Sequence, residues 1–196
     1  RAVFGVSAAA AYAAAAALKL PLYRYLGGVQ AKSMPVPVVT VTERRRSMVT
    51  DTGQGMENRP GQYGIFLIPA EHLPFRTQIK MCVEICRSMG TASADIRETL
   101  GMLKTAVERA GFQAGQDVTF GIGASAAKRY DREQKCYRFQ EEGGKKGRGL
   151  QRTSQEMTVY YDELTAEFPI SFIEDPMDCE DWDGWVEITE SLGDRI

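Results

Sequence analysis

The chain has 196 residues, of which 43% are hydrophobic and 26% are charged, and its formal net charge is -2. This composition excludes a disordered chain, a collagen-like repeat and a disulfide-dense secreted scaffold. The near-balance of 24 basic and 26 acidic residues argues against a dedicated nucleic-acid-binding protein. The single histidine, His72, excludes a multi-histidine metal centre and argues against a Ser-His-Asp triad.

The four cysteines indicate a reducing compartment, because none of them forms a CxxC pair. Cys82 and Cys86 lie four residues apart in an apolar helical pattern, so both are predicted to be buried thiols on one helix face. Cys136 and Cys179 are the other two.

The chain begins with an alanine-rich segment, residues 2–18, which predicts a helix that ends before Pro21. This segment is too short and too weakly hydrophobic for a membrane-spanning helix, so no membrane contact is expected. Gly27 and Gly28 mark a candidate boundary between this N-terminal helical segment and the rest of the chain.

The rest of the chain alternates short apolar strands with amphipathic helices, which is typical of parallel βα units. Strands are predicted at 35–42, 63–69, 118–123 and 170–173, and helices at 75–89, 96–110, 158–168 and after a cap at Asp178. The helix at 75–89 is predicted to bury one face, which consists of Ile79, Cys82, Val83, Cys86 and Met89. The next helix, capped by Ser93 or Asp95, is predicted to bury Ile96, Leu100, Leu103, Val107 and Ala110. The polar, glycine-containing segments 43–61 and 131–149 are predicted to be loops.

These elements predict part of an α/β barrel, since a complete eightfold barrel needs about 250 residues. The active-site groups of such barrels lie at the carboxyl ends of the strands and in the loops that come directly after them. The positions to inspect are therefore Thr42 and Glu43, Pro69 and Ala70, residues 121–125, and residues 174–176.

Several pieces of the chain together resemble one known family. They are residues 2–7 (AVFGVS) with 21–24 (PLYR), 35–37 (PVP), 66–69 (FLIP), 103–106 (LKTA) with 110–112 (AGF), and 169–176 (PISFIEDP) with 181–185 (DWDGW). In order and approximate spacing they resemble enolase, the phosphopyruvate hydratase of glycolysis. The resemblance implies an α/β fold in which a partial enolase-type TIM-like barrel follows the last helix of an N-terminal α+β capping domain.

On this resemblance, residues 1–34 are expected to end the capping domain and residues 35–196 to form the first half of the barrel. The remaining strands are expected in a continuation of the chain. The family's reaction dehydrates 2-phosphoglycerate to phosphoenolpyruvate, and carboxylates hold the magnesium ions that offset the charge of its intermediate. The resemblance therefore implies magnesium as the cofactor.

Most of the family's functional groups are replaced in this segment. The loop 43–61 has Arg44, Arg45 and Arg46 and no histidine, and the family's acidic turn is deleted at 88–91. Gly64 stands where the family has a glutamate, and Gly123 where it has a metal-binding aspartate. Glu174 alone is kept, as a candidate magnesium ligand, and no catalytic residue is assigned.

Alternatives remain at these positions. Glu174 and Asp175 have a structural interpretation, as acidic residues that cap the loop before Pro176. The loop residues Glu43, Asp51 and Glu57 offer substitute carboxylates. Residues 121–123 (GIG) lack the third glycine and the acidic partner of a dinucleotide site.

Three function classes follow from the resemblance. The leading one is a diverged, non-catalytic homologue that serves in an assembly, and the others are a weakly active enolase with rearranged ligands and an enolase fold with another reaction. Self-association or a larger assembly is expected, with contacts through 43–61 and 131–152, where 145–148 (KKGR) is basic. The expected location is the cytoplasm, and enolase-like members in sperm and motile cilia point to an axoneme. Trp182 and Trp185 are predicted to be packing residues.

Overall fold

The computed structural model describes residues 2–41, 63–90, 93, 95–139 and 150–196. The chain divides into two compact units, Arg1–Pro35 and Val36–Ile196. The assignment of the first unit to a capping domain stays a prediction.

The first unit consists of helices α1 (Ala2–Ala17) and α2 (Leu22–Gly27) and a 3₁₀ turn at Gly28–Gln30. Helix α1 ends where Lys19 takes a positive φ of 53° and the Leu20 amide donates to the Ala15 carbonyl. Within the described ranges no single helix has the length and apolarity to cross a membrane, whereas α1 and Leu22–Gln30, bent by 99°, meet those criteria only as a pair.

The second unit is built on a four-stranded sheet. Its strands are β1 (Val39–Thr40), β2 (Gly64–Pro69), β3 (Val118–Gly123) and β7 (Ile170–Glu174), in the order β1-β2-β3-β7. The strands around Phe66, Phe120 and Phe172 therefore share one sheet. This confirms the predicted α/β sheet of a partial, unclosed barrel.

The predicted parallel arrangement is wrong for the first three strands. Strand β1 pairs antiparallel with β2, and β2 pairs antiparallel with β3, while β3 and β7 are parallel. For the pairs β2–β3 and β3–β7 the reason is the number of helices in the connection. Two helices, α3 (Phe75–Ser88) and α4 (Ile96–Arg109), separate β2 from β3, and each reverses the chain, so β3 runs opposite to β2. Before β7 the one intervening helix is α5 (Ser154–Glu167), which gives a parallel strand.

The two helices of this connection bury amphipathic faces. Helix α4 begins after Asp95, which accepts the Glu98 amide at 3.0 Å. It buries the predicted stripe except Ala110, which caps the end of the helix and is partly buried. The predicted face of α3 is confirmed at Cys82, which is buried, and at Cys86 and Met89, which pack against the core. It is wrong at Ile79 and Val83, which are exposed. Its buried face consists of Gln78, Met81, Cys82 and Ile85. The polar Gln78 belongs there since its amide donates to the Ala70 carbonyl at 3.1 Å.

The segment predicted as a loop at 131–149 contributes strands to a second sheet. Strands β4 (Tyr130–Asp131), β5 (Cys136–Phe139) and β6 (Leu150–Arg152) form an antiparallel sheet in that order. The turn after β4 closes because Asp131 accepts the amides of Glu133 and Gln134 at 3.0 Å each. Residues 140–149 lie outside the described residues.

Two helix starts differ from the sequence prediction. Helix α5 begins four residues early, since Thr153 and Glu156 form a reciprocal capping box. Helix α6 (Trp182–Leu192) is capped by Asp181 and not by Asp178. Trp185 packs against the core and donates its indole N–H to the Asp178 carbonyl at 3.0 Å. Trp182, by contrast, is 74% exposed, so its predicted packing role is wrong.

Candidate functional site

The antiparallel pairing decides which strand ends meet at one edge of the sheet. The carboxyl ends of β1, β3 and β7 lie together with the amino end of β2. Pro69 and Ala70, proposed from the sequence as site positions, lie at the opposite end, where the Ala70 amide donates to the Asp117 carbonyl. Thr42 and Glu43 lie outside the described residues.

Three sequence-predicted positions come side by side at this edge, which we call the strand-end site: Gly64, Gly123 and Glu174. Gly64 of β2 is the ladder partner of Gly123 of β3, and Gly123 is the partner of Glu174 of β7. Two of the three positions have no side chain, so Glu174 supplies the carboxylate of this row. It is exposed at the end of its strand.

Two half-buried phenyl rings lie beside this row. A Cβ built on Gly123 would lie 3.1 Å from the nearest carbon of the Phe66 ring. A Cβ built on Gly64 would lie 3.3 Å from another carbon of the same ring. A Cβ on Gly121 would lie 2.4 Å from the Phe172 ring. The rings of Phe66 and Phe172 are 5.7 Å apart at 45°. The glycines therefore provide the space that the rings fill.

The turns that follow β3 and β7 are conformationally unusual. Ser125 and Asp175 both take left-handed backbone angles, with φ of 48° and 51°. The Ala124 amide donates to the Glu174 carbonyl at 2.8 Å, and the Ala126 amide donates to the Asp175 carbonyl at 3.0 Å. A left-handed backbone conformation costs about 1–2 kcal/mol for an ordinary L-residue. The two hydrogen bonds join the turns to each other and help to hold them in this conformation.

The row of the strand-end site offers a magnesium ion one side-chain carboxylate, that of Glu174. Magnesium takes near-octahedral oxygen ligands, usually one or two carboxylates together with waters and substrate phosphates. Within the described ranges, no group of three or more His, Cys, Asp or Glu side chains is placed to hold a metal. The ladder neighbour of Glu174 is Gly123, which has no side chain. The loop residues Glu43, Asp51 and Glu57 fall outside the described part.

A stack of arginines and aromatic rings borders the same edge, and the sequence did not predict it. The Arg129 guanidinium donates to the Ala124 carbonyl at 2.9 Å and lies 4.9 Å from the Tyr63 ring centre. The same guanidinium lies 5.3 Å from the Phe139 ring centre. The Arg152 guanidinium lies 4.4 Å from the Phe139 ring centre and 4.2 Å from that of Tyr160. These cation–π contacts join β2, β5, β6 and α5.

A buried hydrogen-bond cluster, also missed from the sequence, joins the second sheet to α6. Asp181 accepts hydrogen bonds from the hydroxyls of Tyr137 and Ser154, both at 2.6 Å, and from the Gly184 amide at 3.2 Å. The Tyr137 hydroxyl also accepts the Asp178 amide at 3.0 Å. Burial, and then its bond to Asp181, raise the pKa of Tyr137 well above its usual value. The one available sequence signal was the Asp181-Trp182 step, which is typical of a helix start.

The chain matches a protein-family model. The model describes the enolase C-terminal TIM barrel domain, and the match covers residues 75–196. This range contains β3, β7 and helices α3 to α6, so it includes two of the three strands of the strand-end site. The match and the partial barrel agree with the resemblance in the motifs, and the chain therefore belongs to the enolase family.

Proposed function

We propose that this chain is a non-catalytic member of the enolase family that serves as a structural or assembly component. The observation that carries the proposal is the row of Gly64, Gly123 and Glu174, in which a phenyl ring fills the space beside the two glycines. Dehydration of 2-phosphoglycerate needs carboxylates to hold magnesium and groups to transfer protons. Each missing proton-transfer group commonly costs about 10²–10⁴-fold in rate.

The second candidate is a phosphopyruvate hydratase with weak activity and rearranged ligands. It is favoured by Glu174, whose exposed carboxylate stands at the end of β7 beside the turn of Asp175. In that case Glu174 would hold magnesium together with carboxylates from segment 43–61. A magnesium-dependent rise in thermal stability that is lost on Glu174→Gln would distinguish this candidate from the first.

The proposed role requires a contact surface. We place it in segments 43–61 and 131–152, which depart most from the family pattern and carry the basic residues Arg44 to Arg46 and 145–148. The partner is a second copy of the chain or a larger cytoplasmic assembly, with the axoneme of a cilium or flagellum as the leading location.

The test is retention of a serine-substituted protein in its native assembly at physiological salt. The test variant replaces six basic residues of the two segments: Arg44, Arg45, Arg46, Lys145, Lys146 and Arg148. The control variant replaces four arginines and two lysines that are exposed on helices: Arg24, Arg76, Lys80, Arg87, Lys104 and Arg109. We expect loss of the first variant from the assembly and retention of the second. Equal retention of both would contradict the proposed surface.

A further inference from the structure

The geometry points to Phe66 as the residue that decides what the strand-end site can hold, because its ring closes the space beside Glu174 to divalent cations. Phe66 is the ladder partner of Gly121, one step inside the Gly64–Gly123 pair. Its ring leans along the strand over that pair, so that one end of the ring approaches both glycines.

The distances show that ring and side chain compete for the same space at position 123. A Cβ on Gly123 would lie 3.1 Å and 3.3 Å from two carbons of the Phe66 ring, and 3.4 Å from Oε2 of Glu174. Carbon atoms pack best at about 3.5–4.0 Å. A side chain at position 123 is thus the one that would stand beside the Glu174 carboxylate, and it could enter only if the Phe66 ring moved by a few tenths of an ångström.

The same ring covers position 64. A Cβ there would lie 3.3 Å from the Phe66 ring end and 3.6 Å from the Gly123 backbone. The ring is backed by Phe172, which itself lies close against Gly121. A phenyl ring supplies no oxygen ligand, so a cation bound by Glu174 would face an apolar surface where its next ligand is required.

This inference deepens the proposed function. It rests on that function in one respect, that the wild-type protein binds no divalent cation through Glu174. The steric coupling between Phe66 and Gly123 concerns packing and holds whether or not the protein is an enzyme. A failure of the coupling and a failure of the non-catalytic role are therefore separate results.

The experiment compares variants of the full-length protein by thermal unfolding, with and without millimolar Mn²⁺, which prefers the same oxygen ligands as magnesium. The variants are Phe66→Ala, Gly123→Asp, the double variant, and the double variant with Glu174→Gln. Gly123→Ala adds the Cβ alone, in case Gly123→Asp does not fold. Gly101→Asp is the charge control, because a Cβ on Gly101 meets no atom within 4 Å.

We expect Gly123→Asp to lower Tm by about 4 °C or more relative to Gly101→Asp, and Gly123→Ala to lower it by a smaller amount. Phe66→Ala should lower Tm by a smaller amount in the Gly123→Asp variant than in the wild-type protein. Only the double variant should gain about 2 °C or more from Mn²⁺, and Glu174→Gln should abolish the gain.

Three results would overturn the inference. The first is additive Tm changes for Phe66→Ala and Gly123→Asp. The second is a folded double variant that does not respond to Mn²⁺. The third is a wild-type protein that Mn²⁺ stabilises through Glu174, which would contradict the proposed function as well. The first two would leave that function standing.

Discussion

At the scale of single residues, burial sets the chemistry of the cysteines. Cys82 is 1% exposed on the inner face of α3. Burial, and to a smaller degree the neighbouring Cys86, raise the pKa of Cys82 to about 11. Burial also raises the pKa of Cys86. Cys179 lies exposed in the turn before α6. The thiolate is the reactive form of cysteine, so these thiols should differ widely in reactivity.

We predict that an alkylating reagent at pH 8 modifies Cys179 first and Cys82 last. With a pKa of about 11, only about one thousandth of Cys82 is thiolate at that pH. Mass spectrometry of peptides taken over time measures the order, and the urea-unfolded chain, in which all four thiols react alike, is the control. Labelling of Cys82 as fast as Cys179 in the folded protein would contradict the burial described here.

The sequence predicted the buried thiol of Cys82, but it did not predict that Cys86 is only half-buried, nor the ring at the strand-end site. The resemblance to the family identified Gly64 and Gly123 as missing side chains, and the structure places Gly123 between Gly64 and Glu174. What fills the space of a missing side chain depends on tertiary packing. No local pattern shows that the Phe66 ring leans over the next pair of the ladder, so its role could not be predicted.

At the scale of elements, the starts of helices carry the contacts that join them. Asp181 caps α6, and the same carboxylate receives hydroxyls from β5 and from the first turn of α5. The sequence placed this cap at Asp178 because both acidic residues precede the apolar stripe. The choice between them is made by Tyr137 and Ser154, which are distant in sequence.

Replacement of Asp181 by alanine should lower the free energy of unfolding by about 2–4 kcal/mol. Loss of an N-cap costs about 0.5–2 kcal/mol, and a buried donor left without an acceptor costs about 1–3 kcal/mol. Urea unfolding measures the change. Asp183→Ala is the matched control, since Asp183 is exposed in the first turn of the same helix and should cost less than about 1 kcal/mol. Equal effects of the two variants would show that the buried cluster adds no stability.

At the scale of the whole barrel unit, the sequence predicted the type of fold and not its strand directions. Apolar runs near Phe66, Phe120 and Phe172 were correctly assigned to one sheet. The direction of β2 relative to β3 was not predicted correctly. The alternation of strands and helices was interpreted as parallel units, although two helices connect β2 to β3. The small second sheet was missed because its strands are two to four residues long and contain charged residues.

These strand directions also determine which replaced positions of the resemblance meet in the sheet. They bring Gly64, Gly123 and Glu174 together, so the replaced positions of the resemblance form one connected site. The two neighbouring glycines supply no side-chain ligand, and the Phe66 ring lies against both of them. We propose on this ground that the protein does not catalyse the enolase reaction.

The most direct test is magnesium-dependent conversion of 2-phosphoglycerate to phosphoenolpyruvate by the full-length protein, measured beside Glu174→Gln and an active enolase as a positive control. We predict that the wild-type protein and Glu174→Gln both give the rate of the blank without protein. Turnover near that of the active enolase, dependent on magnesium and lost on Glu174→Gln, would contradict the account.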